Sequence, residues 1–108
     1  PGGTESDAPA RRVEIDAVEY AFEAREAIII NAGDTIEFVV SNAGVEDHQM
    51  EVLTDANSVL GRTERISPGG SDTVTVTFSE AGVYRVICDI DQHRSLGQIA
   101  EFPVRDPS

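Results

Sequence analysis

Three side chains in this sequence have the types and spacing to hold one soft metal ion: His48, Cys88 and His93, which are both of the histidines and the single cysteine among 108 residues. Taken singly, each has an ordinary explanation. A lone histidine is usually a surface or core residue, and a free cysteine often behaves as a small buried hydrophobe. The spacing changes that reading. In Cys88-Asp89-Ile90-Asp91-Gln92-His93 a thiol at the end of an extended run is followed, after four residues, by an imidazole on a loop. Two such groups can converge on one ion. His48 opens another extended run in the other half of the chain, and a pair of packed sheets can bring it to the same end. Two imidazoles and a thiolate in a trigonal set, completed by a weak axial ligand, make a blue copper centre, because thiolate selects copper over hard cations and imidazole suits Cu(II). A tetrahedral zinc site uses the same three groups, so zinc binding is expected as well. One cysteine excludes an internal disulfide, a four-cysteine zinc site, an iron–sulfur cluster and a C-x-x-C redox pair.

The elements that must position these groups read as strands. Apolar residues alternate with polar ones at Val13, Ile15 and Ala17, at Ile36, Phe38 and Val40, at Val74, Val76 and Phe78, and at Tyr84, Val86 and Cys88, the period of a half-buried strand. His48, Met50 and Val52 share one face of a further strand, where Met50 reads as core packing. Residues 27–30 form a short β-branched run ended by Asn31-Ala32-Gly33-Asp34, and a last strand runs from about Gln98 to Val104. Pro103 lacks an N–H, so that side of the last strand is expected at an edge or a bulge. Between Leu53 and Ser71 a helical turn is expected near residues 56–60, then a turn at Pro68-Gly69-Gly70. No helical period is sustained, which predicts an all-β Greek-key sandwich or barrel of seven to eight strands. Residues 1–11 read as a flexible leader, 12–105 as one domain and 106–108 as a tail.

Charge narrows the partners. Twenty acidic residues face eight basic ones, giving a formal charge of −12. All the basic residues are arginine. Nucleic acid binding by counterion release needs clustered cations, which this chain lacks, and an anionic membrane surface is disfavoured for the same reason. No apolar run approaches the roughly 20 residues of a membrane-spanning helix. A basic partner or a salty medium suits the surface, although acidity also serves plain solubility.

Four stretches together resemble the cupredoxin family over residues 13–104. Asn42-Ala43-Gly44-Val45-Glu46-Asp47-His48 is similar to the approach to its first histidine ligand. Ile66-Ser67-Pro68-Gly69-Gly70-Ser71 and the strand to Phe78 resemble its Pro-Gly turn and the strand after it. Gly82-Val83-Tyr84-Arg85-Val86-Ile87-Cys88 resembles its Gly-x-Tyr-x-x-x-Cys run, and His93-Arg94-Ser95-Leu96-Gly97-Gln98 resembles its His-x-x-x-Gly-Met ending. The last stretch departs from the pattern: Gln98 stands where most members have an axial methionine. The stellacyanin branch also uses glutamine there, but this chain lacks the additional disulfide cysteines of that branch. The resemblance implies one copper ion held by His48, Cys88, His93 and Gln98, the alternative for Gln98 being a solvent-facing residue beside three-coordinate copper. Gln49 and Asn42 are expected to support the ligands. The backbone N–H of Gln49 is a candidate donor to the Cys88 sulfur, the alternative being an ordinary strand residue.

The same resemblance implies a function. The chain is expected to be a monomeric one-electron carrier, Cu(II)/Cu(I), between larger redox proteins, and not an enzyme. Electrons would pass through the exposed edge of His93 in an apolar patch with Ile90 and Leu96. Asp89, Asp91 and Arg94 would lie near that patch, either simply solvated or steering a donor or acceptor with a basic docking surface. The competing readings are a copper-binding or delivery protein, and a cupredoxin domain of a larger redox or membrane-anchored protein. An extracytoplasmic location, periplasmic, secreted or membrane-tethered, is expected for a copper–thiolate electron carrier.

Overall fold

The computed structural model describes residues 11–90 and 98–106. His93 and Leu96, the neighbouring Asp91 and Arg94, and most of the expected leader and tail lie outside them. Among the described residues nine strands succeed one another: β1 (Arg11–Val18), β2 (Ala21–Ala24), β3 (Ile30–Asn31), β4 (Thr35–Asn42), β5 (Glu51–Thr54), β6 (Val59–Arg62), β7 (Ser71–Thr77), β8 (Gly82–Ile87) and β9 (Ile99–Arg105). They form a four-stranded sheet in the order β2-β1-β4-β7 and a five-stranded sheet in the order β3-β9-β8-β5-β6. Both sheets are mixed: β1 runs parallel to β4, and β3 parallel to β9. The described residues contain no helix, hence none long and apolar enough to cross a membrane.

Alternation sets which faces meet. Val13, Ile15 and Ala17 of β1, Ile36, Phe38 and Val40 of β4, and Val74 and Val76 of β7 are buried. Thr73, Thr75 and Thr77 of β7 stay exposed. From the other sheet Val52, Tyr84, Val86 and Val104 complete the core. Phe78 sits at its centre, with its ring edge-on to Tyr84 at 5.0 Å, Phe102 at 5.7 Å and Phe38 at 6.2 Å, a geometry that sets a positive ring edge against a negative face.

Two strands, β2 and β6, lie where none was expected and take the count past seven to eight. The apolar run 27–30 pairs only from Ile30, and Ile29 is 57% exposed. No helical turn forms at residues 56–60. Instead residues 54–58 turn back on themselves, with Asn57 N–H donating to Thr54 O (2.9 Å) and Thr54 N–H to Ser58 O (2.9 Å). Asn57 takes φ 67°, a left-handed conformation that asparagine tolerates, and β6 returns along β5. Pro103 behaves as expected. It sits opposite Val83 at a position whose nitrogen points away from β8. On that other side β3 pairs only from Val104 onward, so no ladder bond is lost.

Candidate metal centre

Cys88 continues the inward-facing series Tyr84, Val86 just beyond β8, and it is fully buried. Burial pushes its thiol up from the ordinary cysteine range, while the backbone N–H groups of Gln49 and Ile90, both hydrogen-bonded to the sulfur, pull the other way. Cys88 N–H donates to Gln98 O at 3.2 Å, which extends the β8–β9 ladder by one pair and places the two side chains on the same face. Ile90, expected as a member of the apolar patch around His93, is buried, with 6% exposure.

Gln98 is fully buried too. Its Nε2 donates to Val18 O (2.9 Å) and Ala21 O (3.0 Å). Two carbonyl acceptors on one atom identify that atom as the amide nitrogen, so the amide cannot be turned round. Oε1 is left buried, and it makes no hydrogen bond among the described residues. A buried oxygen in that position is costly unless another partner meets it.

His48 bridges to Ile66, donating to Ile66 O (3.0 Å) and accepting from Ile66 N–H (2.7 Å). Its ring is fully buried, and Nε2 lies 2.6 Å from Oε2 of Glu19. Glu19 occupies the turn between β1 and β2 and is 21% exposed. It also accepts the N–H groups of Val45 (3.0 Å) and Glu46 (3.0 Å). The Glu46 N–H, then those of Val45 and His48, hold its carboxyl at about 2 against the opposing effect of burial. Glu19 is therefore ionised at neutral pH and acts only as an acceptor. His48 Nε2 must carry the proton, which gives the lone pair of the neutral ring to Nδ1.

The supporting residues hold the loop on which His48 stands. Asn42 is 3% exposed. Its Nδ2 donates to Glu46 O (2.7 Å) and Ile66 O (2.8 Å), and its Oδ1 accepts Gly44 N–H (2.9 Å). Its backbone joins the Pro68-Gly69-Gly70 turn through Gly69 N–H to Asn42 O and Asn42 N–H to Gly70 O, both 2.9 Å. Gln49 reaches Thr63 O through Nε2 at 3.1 Å. Met50 belongs to the hydrophobic core.

The fold thus joins Cys88 to the backbone of Gln49, directly after His48, and to the backbone of Gln98. Among the described residues no three His, Cys, Asp or Glu side chains gather around one point, and the second imidazole, His93, lies outside them. The buried sulfur, the Nδ1 lone pair and the unbonded amide oxygen fit a copper ion by donor chemistry. Sequence reasoning missed Glu19, which reads as an ordinary exposed turn residue. Only the parallel pairing of β1 with β4 carries it to His48.

The sequence pattern of the cupredoxin-like domain family matches residues 3–100. Among solved structures, the chain is similar to the dithionite-reduced auracyanin of the photosynthetic bacterium Roseiflexus castenholzii, at 19% identity and a TM-score of 0.75, over 90% of this chain and 98% of that one. It is also similar to auracyanin A, a "blue" copper protein of the green thermophilic photosynthetic bacterium Chloroflexus aurantiacus, at 18% identity and a TM-score of 0.75, over 90% and 100%. Reduced rusticyanin matches at 18% identity and a TM-score of 0.65, over 91% and 82%. At these identities the likeness is one of fold. No curated protein matches the chain in sequence.

Proposed function

This chain belongs to the cupredoxin-like domain family, and on that premise we propose that it is a one-electron carrier holding a single copper ion. The Cys88 thiolate, His48 Nδ1, the His93 imidazole and Gln98 Oε1 would hold the metal. The observation that carries this reading is the Gln98 amide: its nitrogen is tied to two backbone carbonyls, and its buried oxygen has no hydrogen bond among the described residues. Bound copper would supply a Cu(II)/Cu(I) couple.

The chain's own residues set how that couple behaves. His48, Cys88 and Gln98 are all fully buried and hydrogen-bonded to backbone or to a fixed carboxylate, so they stay in place when charge changes. The N–H groups of Gln49 and Ile90 draw charge from the sulfur and favour the reduced state. The amide oxygen, harder than a thioether, favours the oxidised state and lowers the potential. Electrons enter and leave through His93, with Ile90 and Leu96 as the proposed members of its patch. The −12 charge favours donors and acceptors with basic docking surfaces. The protein works as a carrier outside the cytoplasm, with no reaction of its own.

Titration of the metal-free protein with Cu(II), followed by optical and EPR spectroscopy, tests the reading. An intense thiolate-to-copper band saturating at one equivalent is expected, and Cys88→Ser abolishes it. Gln98→Met alters the EPR spectrum and raises the reduction potential. A parent protein that shows no such band overturns the proposal, and an unchanged spectrum and potential in Gln98→Met removes glutamine from the metal.

A further inference from the structure

We propose that Glu19 is a positioning residue for this centre: its carboxylate locks His48 in the Nε2–H tautomer before any metal binds, and its charge holds the reduction potential down. The inference rests on the electron-carrier reading above. Three observations meet at this carboxylate. Oε2 lies 2.6 Å from His48 Nε2. The same oxygen accepts the N–H of Glu46, and both oxygens accept that of Val45, so successive amides form an anion-binding concavity around it. The backbone is also shaped to admit it, since a Cβ at Gly44 would fall on the Glu19 carboxylate.

A merely structural loop pin would need only the two backbone amides. Here the oxygen that serves Glu46 also reaches the ring of His48, two residues further along the same loop, whose backbone is fixed by its bridge to Ile66. That ring is fully buried, so no water competes to set its tautomer. With the proton held on Nε2, the lone pair sits on Nδ1 in the metal-free protein. The ligand therefore needs no proton shift when a metal arrives. A carboxylate hydrogen-bonded to a ligating imidazole raises the basicity of the ligand. A fixed negative charge beside the centre also favours the more highly charged oxidised ion. The neighbouring carbonyls of Val18 and Ala21 orient the Gln98 amide, so the one turn faces two of the proposed ligands.

The test uses the whole chain with and without copper. In the metal-free protein, ring nitrogen NMR of His48 is expected to show a protonated Nε2 and a bare Nδ1. Glu19→Ala should bring the two tautomers to comparable populations and weaken Cu(II) binding 10- to 100-fold, the cost typical of losing such an outer partner. Glu19→Gln keeps an oxygen for His48 but removes the charge. It should retain the tautomer and the optical band while the reduction potential rises. Gly44→Ala, which displaces the carboxylate without deleting it, should reproduce the Glu19→Ala tautomer mixture and covers the case in which that variant does not fold. If the parent protein shows the copper band but Glu19→Ala and Gly44→Ala keep the parent tautomer and affinity, or Glu19→Gln keeps the parent potential, the inference fails alone. If the parent protein shows no copper band, the electron-carrier reading fails and takes this one with it.

Discussion

Asn42 satisfies three backbone groups with one side chain: the carbonyls of Glu46 and Ile66 and the N–H of Gly44. Truncating it removes all three bonds at a position of 3% exposure, although Ile66 O keeps a second hydrogen bond, from the His48 N–H. Asn42→Ala should therefore lower stability by about 2 kcal/mol, read in thermal unfolding as a fall of roughly 10 °C for a domain of this size. A fall under about 2 °C would mean that water takes over these bonds. At this scale the sequence was informative where a side chain is scarce and chemically distinctive. His48 and Cys88 stand out by type, and Met50 by its place on an apolar face. Glu19 did not stand out, being one of 20 acidic residues, and its role depends on a neighbour 29 positions away.

Strands whose two faces meet different surroundings were legible as elements. β4 and β7 alternate without a break and pair in register from Thr35↔Thr77 to Ser41↔Ser71. β2 and β6 were not legible, because their pairing is decided by partners rather than by their own pattern. Residues 27–30 are apolar throughout, yet only Ile30 finds a strand. The 54–58 turn was misread because alanine, asparagine and serine mark helical and turn structure alike, and the left-handed Asn57 chooses between them. A β-branched residue there should cost about 1–2 kcal/mol, while glycine takes φ 67° without strain. Urea unfolding of Asn57→Val and Asn57→Gly checks this. The valine variant should unfold at lower denaturant and the glycine variant close to the parent, and equal midpoints would show that the turn relaxes to another conformation.

Over the whole molecule, carboxylates outnumber the cations available to them. Arg12, Arg25, Arg62, Arg65 and Arg85 each pair with an acidic side chain, and the formal charge is still −12. The residual self-repulsion works against the compact state and is screened over about 10 Å at 0.1 M salt. The thermal midpoint should therefore rise by several degrees between roughly 10 mM and 300 mM sodium chloride, most of it below 100 mM, where screening changes fastest. A midpoint that falls with salt would show that the arginine pairs outweigh the repulsion.

β9 lies between β3 and β8, reaching back to Ile30 for one neighbour and to Gly82 for the other. Pairings between such distant residues close long loops before they return contact energy, which puts folding on the millisecond-to-second scale of sandwiches built from non-local contacts. Gln98 leads into β9, and its backbone bond to Cys88 belongs to the β8–β9 pair closest in sequence, so it closes the shortest loop of that ladder. His48 stands just before β5, so it joins those two donors only when β5 pairs with β8. A chain in which β5 has not yet met β8 offers copper an incomplete set of ligands, and the visible band of a loaded centre would serve as a clock for that pairing.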